Sequence, residues 1–262
     1  MDINLLNNFM ANFLGFGNPN AEYWMIGIEE GTQGEEDPHK IELLLGRYLE
    51  AWKEDGCKNL MDLPTFHKKM HFRKDRFDGN IQKQRSWEGP IRTILTFSGY
   101  SDVSDQLVLK QQVEQLGRID SRIGLMELNP LPAPSTMKDV WPYKKLEVSR
   151  NIPWLSSRNK YEKRVSEIRL PSMAKVLCGS DSDHAPQLVL LYSSRNFNRS
   201  RFEKINSINL VLTQTLTEGK YWSCKKGQTV FAAVHHPNSR EKTPPGYYED
   251  VGRMLREFKS NP

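Results

Sequence analysis

"VFAAVHHPNSR", Val230 to Arg240, sets five apolar residues in front of two histidines, a proline and a polar loop. Val, Phe, Ala, Ala and Val read as a short strand buried on both faces, and Pro237 cannot continue its ladder. The histidines therefore stand where the strand ends. Three other stretches have the same character: Tyr23 to Ile28 in "AEYWMIGIEEG", the start of "RIGLMELNPLPAPS" at Arg122, and "QLVLLYSS" from Gln187 to Ser194. Near-continuous apolar strands separated by helical sequence imply a parallel sheet covered on both faces. The expected fold class is α/β, a three-layer α/β/α arrangement around a central, mainly parallel four-stranded sheet. One domain spanning residues 1–262 is expected, because no repeat, low-complexity tract or linker-like shift interrupts the chain.

Helical spacing fills the intervals. Asp2 is placed to cap a helix running to about Leu14, and Asp37-Pro38 opens a second. Between Trp87 and Gly117 two more are predicted, one beginning near Pro90 and one after Ser101-Asp102. Another runs from Ser157 to Cys178 with a break at Pro171, one covers Arg199 to Asn206, and an amphipathic helix closes the chain from Tyr247 to Phe258. Cys57 to Arg85 is basic and poorly periodic. Leu210 to Leu216 and Tyr221 to Cys224 read as an antiparallel edge or a loop hairpin.

Composition narrows the class. With 37 % hydrophobic and 26 % charged residues, the 262-residue chain suits a globular protein. No apolar run approaches the roughly 20 residues of a membrane span, and "MDINLLNNF" lacks the basic flank of a signal peptide. Three scattered cysteines, Cys57, Cys178 and Cys224, argue against a disulfide framework and against a cysteine-held metal cluster. A cytoplasmic monomer without metal or cofactor is expected. The net charge of +5 is clustered in "HKKMHFRKDR" (His67 to Arg76), "SRNKYEKR" (Ser157 to Arg164) and "RNFNRSRFEK" (Arg195 to Lys204). Basic runs with interleaved aromatics suit a phosphate backbone and stacked bases, which makes DNA the expected partner, with Lys68, Lys69 and Arg73 among its contacts. A solvated helix face balanced by nearby acids reads the same way.

Three strands hand over to polar loops: "GIEEG" (Gly27 to Gly31), "NPLPAPS" (Asn129 to Ser135) and "HPNSR" (His236 to Arg240). In a parallel sheet these ends share one edge, so Glu29 or Glu30, Asn129, and His235 or His236 can converge on one pocket. Gly27 and Gly31 would let the backbone approach a ligand closely. Breaking an N-glycosidic bond suits such a set. A carboxylate stabilises positive charge on the sugar and orients water, an imidazole N–H stabilises the departing base, and an amide reads the base's edge. Taken alone, Glu29 also reads as a helix-start or solvent carboxylate, and Asn129 as a turn residue before Pro130.

In this order and on these strands, the three motifs resemble the uracil-DNA glycosylase superfamily. "AEYWMIGIEEG" is similar to its first motif, "LMELNPLPAPS" to the strand bearing its base-reading Asn, and "AAVHHPNSR" to its closing His-Pro-Ser strand end. The resemblance covers the strand framework over most of the chain. It implies Glu29 as the catalytic group two places after Gly27, with Glu30 in reserve because adjacent loop residues point apart. Asn129 is implied as the base reader and His236 as the histidine facing the base; His235 is read as a packing residue. Departures are plain. Asn238 replaces the usual Ser, which leaves Ser239 and Arg240 for phosphate contact and duplex insertion, and Glu29 is longer than the family's Asp. The implied activity is that of a monofunctional DNA glycosylase acting on uracil, another deaminated base, or a bulkier modified cytosine of the phage type. A non-catalytic nucleic-acid-binding domain and a nucleotide or nucleoside hydrolase are the alternatives. Phe97, Trp141 and Tyr143 are candidates for the wall beside the base, and Tyr23 and Trp24 read as core.

Overall fold

The computed structural model describes residues 2–32, 34–72, 76–78, 81–134, 140–146, 148–178, 184–193, 196–238 and 243–260. Asp2 caps α1 (Ile3–Asn12) by accepting from the Asn4 and Leu5 amides. Strands β1 (Gly15–Phe16) and β2 (Tyr23–Gly27) follow, and Asp37-Pro38 opens α2 (Pro38–Glu54). The poorly periodic basic stretch holds β3 (Leu60–Met61) and α3 (Leu63–Met70). Pro90 does not begin α4 (Arg85–Phe97) but lies inside it; the Trp87 and Glu88 amides bond the Gln84 carbonyl and close a turn before it. Then come α5 (Asp105–Glu114), β4 (Ile123–Glu127) and the short α6 (Val148–Asn151). The helical stretch around Pro171 divides into α7 (Arg158–Ile168) and α8 (Leu170–Leu177), because a proline suits a first turn and lacks an interior amide. The chain closes with β5 (Leu188–Leu191), α9 (Asn196–Asn206), β6 (Val211–Gln214), β7 (Lys220–Lys226), β8 (Thr229–Ala233) and α10 (Tyr247–Ser260).

The sheet has eight strands, not four, in the order β3-β1-β4-β2-β5-β8-β7-β6. Its central four, β4, β2, β5 and β8, are mutually parallel. One flank adds β1, antiparallel to β4, and β3; the other adds β7 and β6 as an antiparallel hairpin on β8. The expected sheet fell short on the first flank because two-residue strands are too brief to display any alternation.

Alternate side chains of the parallel strands enter two cores. Tyr23, Met25, Leu190 and Ala232 pack with residues of α1, α2, α4 and α10, while Trp24, Ile26, Leu191 and Ala233 pack with residues of α8 and α9. Helices thus flank the sheet on both faces, and the parallel strands read as unbroken apolar runs for that reason. No helix among the described residues is long and apolar enough to cross a membrane.

Candidate active site

All four parallel strands point their carboxyl ends to one edge, and the ladder runs on beyond them. The Leu128 amide donates to the Gly27 carbonyl at 2.9 Å, Asn129 to Ile28 at 2.7 Å, and Ala133 to Glu30 at 2.9 Å. The first and second motif loops are therefore zipped together, and Asn129 is carried alongside Glu29. Its amide nitrogen donates to Glu29 Oε2 at 3.1 Å, and the same oxygen takes an ion pair from Arg158 at the start of α7. Arg158 also bonds Glu162 Oε1 at 2.9 Å and lies over the Trp141 ring.

This centre is dry. The side chains of Glu29 and Arg158 are 3 % and 2 % exposed, and Asn129 is fully buried. Burial pushes the Glu29 carboxyl above its ordinary value, while Arg158 and Asn129 pull it back toward the charged form. Glu29 Oε1 and Asn129 Oδ1 are buried with no hydrogen-bond partner among the described residues. One acceptor on each side of the pair is thus left unsatisfied by the described residues.

Two further carboxyls adjoin. Burial pushes Glu30 up to about 7, beside the Tyr48 hydroxyl. Burial and the neighbouring Glu30 push Glu127, the last residue of β4, up to about 8. A Cβ at Gly27 would meet the Glu127 carboxyl and the Tyr192 hydroxyl, so these two side-chain ends would have to shift to admit one. Gly31 faces open space, and nothing near it demands glycine. Glu29 and Glu30 do point apart, yet both turn inward, Glu29 toward Asn129 and Arg158 and Glu30 toward Tyr48 and Glu127.

His236 joins through Tyr192. The Tyr192 hydroxyl donates to Glu127 Oε1 at 3.2 Å, and its ring lies 5.6 Å from the His236 ring. His236 Nδ1 accepts the Asn238 amide at 3.0 Å, which assigns the proton of the neutral ring to Nε2. His235 packs between Trp222 and Tyr247. The edge thus gathers Glu29, Glu30, Gly27, Asn129 and His236, all read from the sequence, with Glu127, Arg158 and Tyr192, which were not. Glu127 had a visible signal, an acid closing the apolar run "IGLME".

Of the aromatic candidates, Trp141 and Tyr143 are buried beside this centre. Trp141 packs on Tyr161 at 4.7 Å, and the Tyr143 hydroxyl donates to the Pro132 carbonyl. Phe97 stands elsewhere, against Tyr23. The DNA contacts are less gathered. Lys68 is exposed on α3, Lys69 pairs with Glu54 at 3.3 Å, and Arg73, Ser239 and Arg240 lie outside the described residues. Of the basic runs read as nucleic-acid-facing, two also send charged residues inward: Arg158 and Arg201 are 2 % and 5 % exposed. Among the described residues, no group of three or more His, Cys, Asp or Glu side chains is arranged to hold a metal ion. Comparison of the chain with protein-family models, with curated proteins and with solved structures found no match.

Proposed function

We infer that the protein is a DNA glycosylase that draws one base out of the duplex and hydrolyses its N-glycosidic bond, leaving an abasic site. The observation that carries this reading is the meeting of a carboxylate–amide pair, two proton-holding carboxyls and a histidine on one sheet edge, delivered by the three motifs that resemble the uracil-DNA glycosylase superfamily. With Arg158 against it, Glu29 serves as the carboxylate that stabilises positive charge developing on the sugar. Glu30, near 7, is suited to take a proton from the attacking water at neutral pH. His236 Nε2–H is the donor for the leaving base, and the open Asn129 oxygen reads the base's edge. Lys68, Lys69, Arg73, Ser239 and Arg240 are the proposed contacts to DNA. The substrate is uracil, another deaminated base, or a modified cytosine of the phage type.

A second reading rests on the Arg158 ion pair. A carboxylate already neutralised by a guanidinium suits a structural role, and the protein would then be a nucleic-acid-binding domain without catalysis. A panel of duplexes carrying different modified bases, treated with alkali after incubation, separates the two. The excision reading expects strand breaks on at least one duplex, a loss of 10²–10⁴-fold in rate in Glu29→Gln and His236→Ala, and relaxed choice among bases in Asn129→Ala. Binding that survives these changes, with no breaks on any duplex, establishes the second reading instead.

A further inference from the structure

Between α7, α8 and α9 lies a cavity of about 520 Å³. Arg201 lines it, and this arginine is chemically unusual. Only 5 % exposed, it has no hydrogen-bond partner for any of its three guanidinium nitrogens among the described residues. Its guanidinium lies 5.7 Å from the Phe197 ring, and Glu162 attracts it electrostatically. Buried guanidinium groups are ordinarily paired, because removing five N–H donors and a charge from water is costly when nothing replaces the water. Glu162 lines the same cavity, but its Oε1 is taken by Arg158. Arg201 therefore stands in the wall of a space that the protein itself does not fill, with its donors unspent among the described residues.

The rest of the lining indicates what fits. Lys163 and Lys204 stand exposed at the cavity's margin, so three cations face one carboxylate that already has a partner. Ser166 and Asn159 add neutral polar groups, while Leu170 and Phe197 supply apolar wall. The volume lies in the range of small-molecule sites and far exceeds what a lone anion needs. A carboxylate would be matched by Arg201 alone. The two lysines match the additional charge of a phosphoryl group, whose tetrahedral oxygens a guanidinium fork binds two at a time.

We propose that this cavity binds a phosphoryl group, carried by a nucleotide or by a nucleic-acid strand, with Arg201 as its bidentate receptor and Lys163 and Lys204 completing the charge. The site rests on the cavity alone and holds whether or not base excision does; abasic-site formation is a separate readout, so the two can fail independently.

Calorimetric titration with deoxycytidine 5′-monophosphate, with unphosphorylated deoxycytidine as control, and fluorescence anisotropy with a short single-stranded DNA test it. Binding of the monophosphate at least tenfold tighter than of the nucleoside, lost tenfold or more in Arg201→Met, supports a nucleotide site. Strand binding reduced tenfold in Arg201→Met, with no affinity for the monophosphate, supports a strand phosphate. In either case Arg201→Met melts no lower than the wild type, because it removes a buried charge whose donors have no hydrogen-bond partner among the described residues. The paired exposed change Lys163→Gln with Lys204→Gln weakens the same binding several-fold. Wild-type protein that binds neither probe, unaltered binding in Arg201→Met, or an Arg201→Met that melts lower or fails to fold would each overturn the proposal.

Discussion

Arg158 on α7 and Arg201 on α9 are both buried, and they could hardly be placed more differently. Arg158 bonds Glu29 and Glu162 and covers an indole ring. Arg201 has no hydrogen bond to a carboxylate among the described residues, although Glu162 shares its cavity. A buried cation whose donors are spent fixes the groups around it, and here that fixes the carboxylate at the centre of the proposed chemistry. A buried cation whose donors are unspent costs free energy until something outside the protein arrives. Stability and ligand binding should therefore divide cleanly between the two residues, with Glu162 as the hinge.

The largest effect expected is on stability. Arg158→Met strands Glu29 and Glu162 as buried carboxylates without a cation, and should cost about 3–5 kcal/mol in denaturant unfolding. Arg201→Met should cost nothing. Equal losses in the two variants would erase the distinction.

The acids sharpen the same contrast at smaller scale. Among the described residues no guanidinium bonds the Glu127 carboxyl, and Glu30 lies beside a hydroxyl and another acid, so burial raises the two to about 8 and about 7. A carboxyl with a raised folded-state pKa binds its proton more tightly folded than unfolded. Its contribution is complete below the ordinary value near 4.5 and is lost as pH rises through the folded value. Unfolding free energy should therefore fall between pH 5 and 8, by about 1.4 kcal/mol per pH unit for each carboxyl while it remains protonated only in the folded state. Glu127→Gln should flatten that slope; a slope unchanged in the variant would show that the Glu127 proton is not held.

Much of this edge is legible in the sequence, for a reason of length. Four apolar runs of four or more residues announce the parallel strands, and helix caps such as Asp2 and Asp37 act locally, within reach of pattern reading. Glu29, Asn129 and His236 are legible because a parallel strand delivers the residues after it to a known edge. Arg158 and Arg201 are not. "SRNKYEKR" and "RNFNRSRFEK" read as basic surfaces, yet on α7 and α9 helical spacing turns Arg158, Tyr161, Glu162 and Arg201, Phe202, Ile205 inward together. Charge alone does not reveal which face of a helix is buried when the apolar partners are only one or two per turn. Tyr192, next to β5, was equally hidden, because its role depends on Glu127 from another strand.

The central claim is that this edge hydrolyses a glycosidic bond, and the most direct measurement is mass-spectrometric detection of free base released from modified duplex DNA, counted against abasic sites in the same reaction. Equal yields of free base and abasic sites are expected from the wild type, both falling together by at least a hundredfold in Glu29→Gln. Strand breakage without free base, or free base released undiminished by Glu29→Gln, would contradict it.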